Sequence, residues 1–310
     1  MLSCAGMIGE EQRWLDCAAH MAAAGKVAAQ SLYGSASGRV DLGRGAGGDH
    51  TLELDRACES AILGVLASEA PAPYSLVSEE AGISGPADAS WRVVIDPLDG
   101  SLNAKRGLEP FAASIAVADG GTLGDVRIGY IEDYTRPRVF SAVRGSGLLS
   151  PAAEQAPAVD AASEDASQEA GGCRQGADLV EIVLFEAGRP DRHHFRYHDL
   201  STMGAVGNSR DMRLRQIGSL ALSLCYVATG VADMLIAAVR SRSVDLAAGL
   251  LILREAGGGV VTLAGEDILQ QPLDLDKRSP FVAWRAGLDE DEVLFRTRQL
   301  RRDILGGVNP

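Results

Sequence analysis

The stretch "VVIDPLDGSLNAKRG", Val93 to Gly107, decides how this chain is read. Val93, Val94 and Ile95 favour a strand, and Asp96 and Asp99 then stand three residues apart around Pro97, ahead of Gly100 and Ser101. Pro97 fixes its own φ and has no N–H, so a plain strand ladder is expected to break there. Gly100 opens dihedrals closed to other residues, and Ser101 is expected to cap a following helix. Two carboxylates aimed at one point repel unless a cation or a proton lies between them. Oxygen-only ligands suit Mg²⁺, which is commonly held by a few carboxylates together with substrate phosphate oxygens. A helix opening near Ser101 would turn backbone N–H groups toward that phosphate. Taken alone the stretch also reads as a turn, so its neighbours have to decide.

Two further segments supply carboxylates where strands give way. "VSEE" puts Glu79 and Glu80 at the end of a β-rich run, and "SVDLAAG" puts Asp245 where a helix follows a strand. Each has a plainer reading, a solvated acidic loop for the first and an acid favoured by the helix dipole for the second. The surroundings predict a helix from Glu10 to Leu32 and a second opening at Asp55, with Ala57, Ala61, Ile62, Val65 and Leu66 on one face and Glu59 left polar. Short β-rich runs follow from Leu76: "SLVSEE", "WRVVIDP", "FAASIAVADGG", "RIGYIEDY" and "RPRVFSAVRG". The Gly-rich "GRGAGG" before them lacks the Lys-[Ser/Thr] ending of a nucleotide-binding loop and reads as a mobile loop. From 151 the chain turns to "PAAEQAPAVDAASEDASQEAGG", acidic with little to bury, and reads as a disordered insertion. Residues 1–150 therefore form one expected half, 151–176 the insertion, and 177–310 a second α/β half containing "SLALSLCYVATG", "ADMLIAAV" and "VDLAAGLLILREAGG".

Composition narrows the partners. Among 310 residues, 46% are hydrophobic and the net charge is −13. Such a surface repels polyanions, so neither nucleic acid nor an anionic membrane is an expected partner. Five cysteines without a close pair suit a reducing compartment. No stretch reaches the roughly 18 apolar residues of a spanning helix, and the expectation is a cytoplasmic protein. A small anionic substrate would need a local cation, and Arg240 and Arg242, just before Asp245, offer an Arg fork for a second phosphate of a bisphosphate substrate. "RHHFRYH", with His193, His194 and His198, has no Glu placed for a zincin and is a weak zinc candidate.

Taken in order, "LELDRACE", "EEAG", Trp91 with "DPLDGSLN", and "VDLAAGLLILREAGG" resemble the inositol monophosphatase superfamily, whose members include fructose-1,6-bisphosphatases. "NAKRG" resembles the archaeal type, which acts on both classes of substrate. The resemblance implies a layered αβαβα fold of the α+β class and a phosphomonoesterase working with two or three Mg²⁺ ions. It implies as metal ligands Glu79, Asp96, the Leu98 carbonyl, Asp99 and Asp245. Ser101 would position the attacking water, Asp55 would orient that hydroxyl, and Thr51 and Glu80 would complete the water side. Gly100 and Ser101 would give amides to phosphate, and Arg215 would lie near the substrate. A small phosphorylated sugar or polyol and a homodimer are the partners implied.

Two departures bear on this. The loop that reads Asp-Gly-Thr-Pro-Thr in archaeal-type members is here "GGDHT", and the acid that contacts inositol in animal enzymes is replaced by Ala238. The alternatives are an adenosine 3',5'-bisphosphate phosphatase, or a low-turnover phosphate-binding regulatory protein on the same fold.

Overall fold

The computed structural model describes residues 4–48, 50–149, 180–186, 206 and 212–305. The expected insertion, 151–176, and the three histidines of "RHHFRYH" lie outside them.

Two long helices open the chain, α1 (Cys4–Leu32) and α2 (Glu53–Glu69), with a two-stranded hairpin between them, β1 (Asp41–Arg44) and β2 (His50–Leu52). A six-stranded sheet follows: β3 (Tyr74–Ser78), β4 (Gly82–Ser84), β5 (Trp91–Asp99), β6 (Ala112–Ala118), β7 (Val126–Asp133) and β8 (Arg138–Val143). Its spatial order is β4-β3-β5-β6-β7-β8, with β3 parallel to β5 and every other pair antiparallel. A short helix, α3 (Ser101–Arg106), leaves the end of β5.

The second sheet holds β9 (Ile182–Glu186), β10 (Arg213–Arg215), β11 (Met234–Ser241), β12 (Gly259–Thr262) and β13 (Ser279–Trp284), in the order β10-β9-β11-β13-β12. Its helices are α4 (Leu220–Ala228), α5 (Ser243–Glu255) and α6 (Glu290–Leu305).

The period-2 pattern explains the layering. On one face of the first sheet, Val93, Ile95, Ile115 and Val117 pack with Trp14, Met21, Leu54 and Ile62 of α1 and α2. On the other, Val94, Ala116 and Ile131 pack with Leu222 and Leu224 of α4, Leu246 and Leu250 of α5, and Leu235 and Phe281 of the second sheet. The outer face of the second sheet, Met234, Ile236, Val282 and Trp284, takes Val293 and Leu300 of α6. The layers thus run α1/α2, sheet, α4/α5, sheet, α6. This is the expected αβαβα arrangement.

The ladder does not end at Pro97. β5 and β6 pair Asp96 with Ser114 and then Asp99 with Ala112, three steps on one strand against two on the other. Pro97 sits inside this bulge, where no ladder N–H is demanded of it. The bulge keeps both carboxylates at the strand's end.

Candidate active site

Asp96, Leu98, Asp99, Gly100 and Ser101 all line one open cavity of about 620 Å³, together with Glu79, Glu80, Arg242 and Asp245. His50, Leu52, Leu102, Lys105 and Gly218 complete its wall. Three strand or hairpin ends and the first turns of α3 and α5 meet there.

Ser101 does not cap α3. Gly100 takes the N-cap place at φ 94°, while the Ser101 hydroxyl donates to the Leu98 carbonyl at 2.9 Å. A Cβ at Gly100 would lie 3.1 Å from the Pro110 carbonyl oxygen and 3.2 Å from that of Gly218, so both backbone conformation and close approach demand glycine. Asn103 fastens α3 from behind, donating to Pro110 O at 2.9 Å and Ile217 O at 2.8 Å.

The helix-terminal acids have two tasks at once. Asp55 accepts the Leu52 N–H at 2.7 Å, and Asp245 accepts the Arg242 N–H at 2.7 Å, each from the third position of its helix. The plain capping explanation therefore holds for Asp245, and its other contacts still face the cavity. Asp55 is buried, and its Oδ1 has no hydrogen-bond partner among the described residues. Burial raises its pKa, while the Leu52 amide and the nearby Ser101 hydroxyl favour the charged form. A buried carboxylate oxygen without a partner beside Ser101 is unusual in a folded protein and marks this as a place where polar chemistry is concentrated.

The Glu79–Glu80 turn is held from several sides. Glu59, expected on a polar face, is buried and accepts the Ser78 hydroxyl at 2.5 Å and the Ala81 amide at 2.9 Å. Sequence reading missed it because helical periodicity places a residue on a face without saying what covers that face. From the hairpin, the Ala46 amide donates to Glu80 O at 3.2 Å and the Gly47 amide to Glu79 O at 2.7 Å. The Thr51 hydroxyl donates to the Glu80 carboxylate. The mobile-loop expectation for "GRGAGG" is therefore corrected: the loop packs on the turn. Its glycines make room for the site, since a Cβ at Gly45 would fall 2.0 Å from Glu80 Oε2 and one at Gly47 2.4 Å from Arg242 Nη1.

Asp99 is held at the start of α4. Its carboxylate accepts the Ser219 hydroxyl at 2.5 Å, the Ala221 amide at 2.8 Å and the Leu220 amide at 3.2 Å. Glu186, at the end of β9, secures the preceding loop by accepting the Ile217 amide at 3.0 Å, the Gly218 amide at 3.1 Å and the Ser223 hydroxyl at 3.1 Å. Neither Ser219 nor Glu186 was singled out in the sequence. "GSLALS" signals a Ser cap, but which carboxylate it meets is a tertiary fact.

Arg242 departs most from expectation. Its side chain is 8% exposed and paired with Glu79 at 2.5 Å and Asp245 at 3.1 Å. A guanidinium engaged with those two carboxylates is not an open fork for a second phosphate, and that assignment is corrected. Arg215 lies exposed on the edge strand β10 and donates to its neighbour's carbonyl, Leu214 O, at 2.9 Å. It is not among the residues lining the cavity. Arg240 lies on β11, and its side chain is outside those described. Lys105, inside the opening stretch but unassigned there, is the second cationic side chain of the cavity wall.

The electrostatics suit cations. Burial, reinforced by Glu79, Asp99 and Asp245, pushes Asp96 well above the usual carboxylate range. Burial likewise raises Glu79, against the pull of Arg242, and brings Asp99 and Glu80 up to about 7. Clustered oxygen donors that resist ionising together form a set that a hard divalent cation would stabilise. The set is not closed around a point, however. Among the described residues no three His, Cys, Asp or Glu side chains are gathered as a ready metal cluster; Arg242 and the α4 amides hold several of the oxygens.

A layered αβαβα fold with carboxylates, a serine and a glycine-led turn around one cavity defines a sugar-phosphatase type of protein. The chain matches the inositol monophosphatase family over residues 10–299, and it belongs to that family. It is 32% identical to the Nus factor SuhB of Pasteurella multocida over 70% of this chain and 73% of that protein. It is 29% identical to a fructose-1,6-bisphosphatase/inositol-1-monophosphatase of Methanothermobacter thermautotrophicus over 93% of this chain and 97% of that one. Among solved structures, the extragenic suppressor protein suhB of Bartonella henselae superposes with a TM-score of 0.69 at 25% identity, covering 94% of this chain and 99% of that chain. The protein is a phosphoric monoester hydrolase of a generally metal-dependent family that acts on phosphorylated sugars. No helix among the described residues is long and apolar enough to cross a membrane.

Proposed function

We propose that this phosphatase hydrolyses a small sugar or polyol phosphate, inositol 1-phosphate or fructose 1,6-bisphosphate in kind, with two or three Mg²⁺ ions as cofactor. The observation that carries this is the meeting of Glu79, Asp96, Leu98, Asp99, Gly100, Ser101 and Asp245 on one cavity wall. Glu79, Asp96, Asp99 and Asp245, with the Leu98 carbonyl, would hold the ions. When bound, such ions acidify a water and stabilise a leaving alkoxide.

The chain's own residues supply the rest. Ser101, on the cavity wall, would position the attacking water, and the buried Asp55 carboxylate beside it would orient that hydroxyl. Thr51 and Glu80 form a bonded pair beside them. That pair is intact although the loop reads "GGDHT", which supports turnover over a merely phosphate-binding role. The Gly100 and Ser101 amides start α3 and suit phosphate oxygens. Lys105 supplies positive charge at the wall, so an anionic substrate can enter a molecule of net charge −13.

The bisphosphate preference loses the Arg242 support and rests on Lys105 and on the archaeal relative. The homodimer is kept as part of this reading, with Val40, Leu42, Leu102 and Leu108 as exposed apolar side chains available for contact; light scattering on the purified protein tests it. A panel of phosphate esters, including inositol 1-phosphate, fructose 1,6-bisphosphate and adenosine 3',5'-bisphosphate, assayed with and without Mg²⁺, tests the main reading. Phosphate release should require Mg²⁺ and vanish in Asp99→Asn and Asp245→Asn while both variants stay folded. Near-normal turnover in either at saturating Mg²⁺ would remove the metal assignment.

A further inference from the structure

Glu79 directly follows β3 of the first sheet and Asp245 lies in the first turn of α5, the helix packed between the two sheets, so the two reach the cavity from different elements. Between them lies one buried guanidinium. Arg242 Nη2 is 2.5 Å from Glu79 Oε1 and 3.1 Å from Asp245 Oδ1, and Nε donates to Asp245 Oδ2 at 3.4 Å. Nη1 reaches the Gly47 carbonyl of the hairpin loop at 3.3 Å. The same carbonyl accepts Arg278 Nη2 at 2.7 Å. The arginine therefore ties hairpin, strand end and helix start together through the carboxylates that a cation would use.

We propose that Arg242 is a resident cation of this site: its single charge offsets part of that on Glu79 and Asp245, and a divalent ion gains the oxygens it holds only in exchange with the guanidinium. This rests on the reading that the carboxylates bind divalent metal. The physical basis is twofold. Without Arg242, Lys105 would be the remaining Lys or Arg on a wall that carries Glu79, Asp96, Asp99 and Asp245, of which Asp96 and Asp99 are buried and Glu79 and Asp245 are only 14% and 15% exposed, and carboxylates gathered so closely are costly without a counter-charge. A guanidinium and a divalent ion also repel at a separation of a few ångströms, so the arginine's presence must weaken metal binding at the oxygens it holds. Arg242 thereby keeps the empty site folded and sets how tightly it loads. It is a positioning residue for the metal and not a catalytic one.

The test is Mn²⁺ binding by isothermal titration calorimetry on the full-length protein, alongside melting temperature in EDTA and in Mn²⁺. Arg242→Gln removes the charge but leaves the Gly47 carbonyl its Arg278 bond and the hairpin its backbone bonds to Glu79 and Glu80, so the loop stays tied. The variant should bind Mn²⁺ about tenfold tighter than wild type or better, melt lower in EDTA, and recover in Mn²⁺. Arg242→Lys retains charge without the fork and should fall between the two in affinity. It also serves as the deciding variant if Arg242→Gln does not fold without metal, and an affinity equal to or weaker than wild type would then count against the proposal. Unchanged or weaker Mn²⁺ binding in a folded Arg242→Gln would overturn it and make the arginine a brace of the fold alone. Wild-type protein that binds no Mn²⁺ would instead overturn the metal reading beneath it. Binding that is lost in Asp99→Asn but indifferent to Arg242 would leave that reading standing and sink only this inference.

Discussion

Gly45 and Gly64 show how the same side chain, a single methyl, can have opposite effects. At Gly45 an added Cβ meets Glu80 Oε2 at 2.0 Å and Thr51 Oγ1 at 2.7 Å, both at the ends of side chains that can swing aside. Relief is available, and it comes at the expense of the Thr51–Glu80 pair. Gly45→Ala should therefore lower kcat by an order of magnitude or more while shifting the melting temperature little; an unchanged kcat would show that the pair does not serve the reaction. Gly64, inside α2, has nothing within 4 Å of its would-be Cβ. There the removal of chain entropy from the unfolded state dominates, and Gly64→Ala should stabilise by about 0.4–1 kcal/mol. Turnover measured together with chemical denaturation on the two variants separates a glycine that makes room for the site from an incidental one.

At the scale of elements, the site depends on where α4 begins. Asp99 sits on the first amides of that helix, and Glu186 holds the loop that leads into it. Glu186→Ala would leave the part-buried Ile217 amide and the more exposed Gly218 amide without their carboxylate, and since water can reach both only in part the loss should be about 1 kcal/mol or somewhat more. It should lower both stability in urea and Mg²⁺ affinity, since Asp99 moves with the helix start; a loss of stability with unaltered Mg²⁺ affinity would separate the two. The elements that carry Asp99, Asp96 and Asp245 were legible in the sequence because local rules write them. A β-branched run made β5, and "VDLAAGLLILREAGG" carried its own helix with Gly257 after it at φ 81°. The Asp-Pro-Leu-Asp-Gly spacing gave the carboxylates at the end of β5. What stayed illegible was the meeting of distant polar groups: Glu59 with Ser78, Ser219 with Asp99, and Arg242 with Glu79 across 163 residues. Periodicity assigns a face, and a long guanidinium can reach either solvent or a carboxylate from the same backbone position. Pro97 does interrupt the plain ladder as its chemistry predicts, but the bulge that lets pairing resume at Asp99 is a property of the partner strand as much as of the proline.

Over the whole molecule, α5 is the element that makes two sheets into one site. Its start carries Asp245, and its flank touches the first sheet so closely that a Cβ at Gly129 on β7 would fall 2.7 Å from the Ala248 carbonyl oxygen. Backbone cannot swing aside as Glu80 can, so overpacking there costs about 1–3 kcal/mol. On the proposed reading, metal binding would work through the same junction. Glu79, Asp96 and Asp99 belong to strand ends of the first sheet, whereas Asp245 belongs to a helix buried between both. An ion held by all four would bind only while the first sheet and α5 stay packed together, so its binding energy would stabilise that packing. At a free concentration of one hundred times Kd that contribution is about 2.7 kcal/mol, which for a domain of this size raises the melting temperature by on the order of 5 °C. Calorimetry should accordingly show one unfolding transition, shifted upward by Mg²⁺ and returned by EDTA, with most of the shift lost in Asp245→Asn. Two resolved transitions, of which Mg²⁺ moves only the one belonging to the first sheet, would mean that Asp245 is no ligand and that the halves unfold independently.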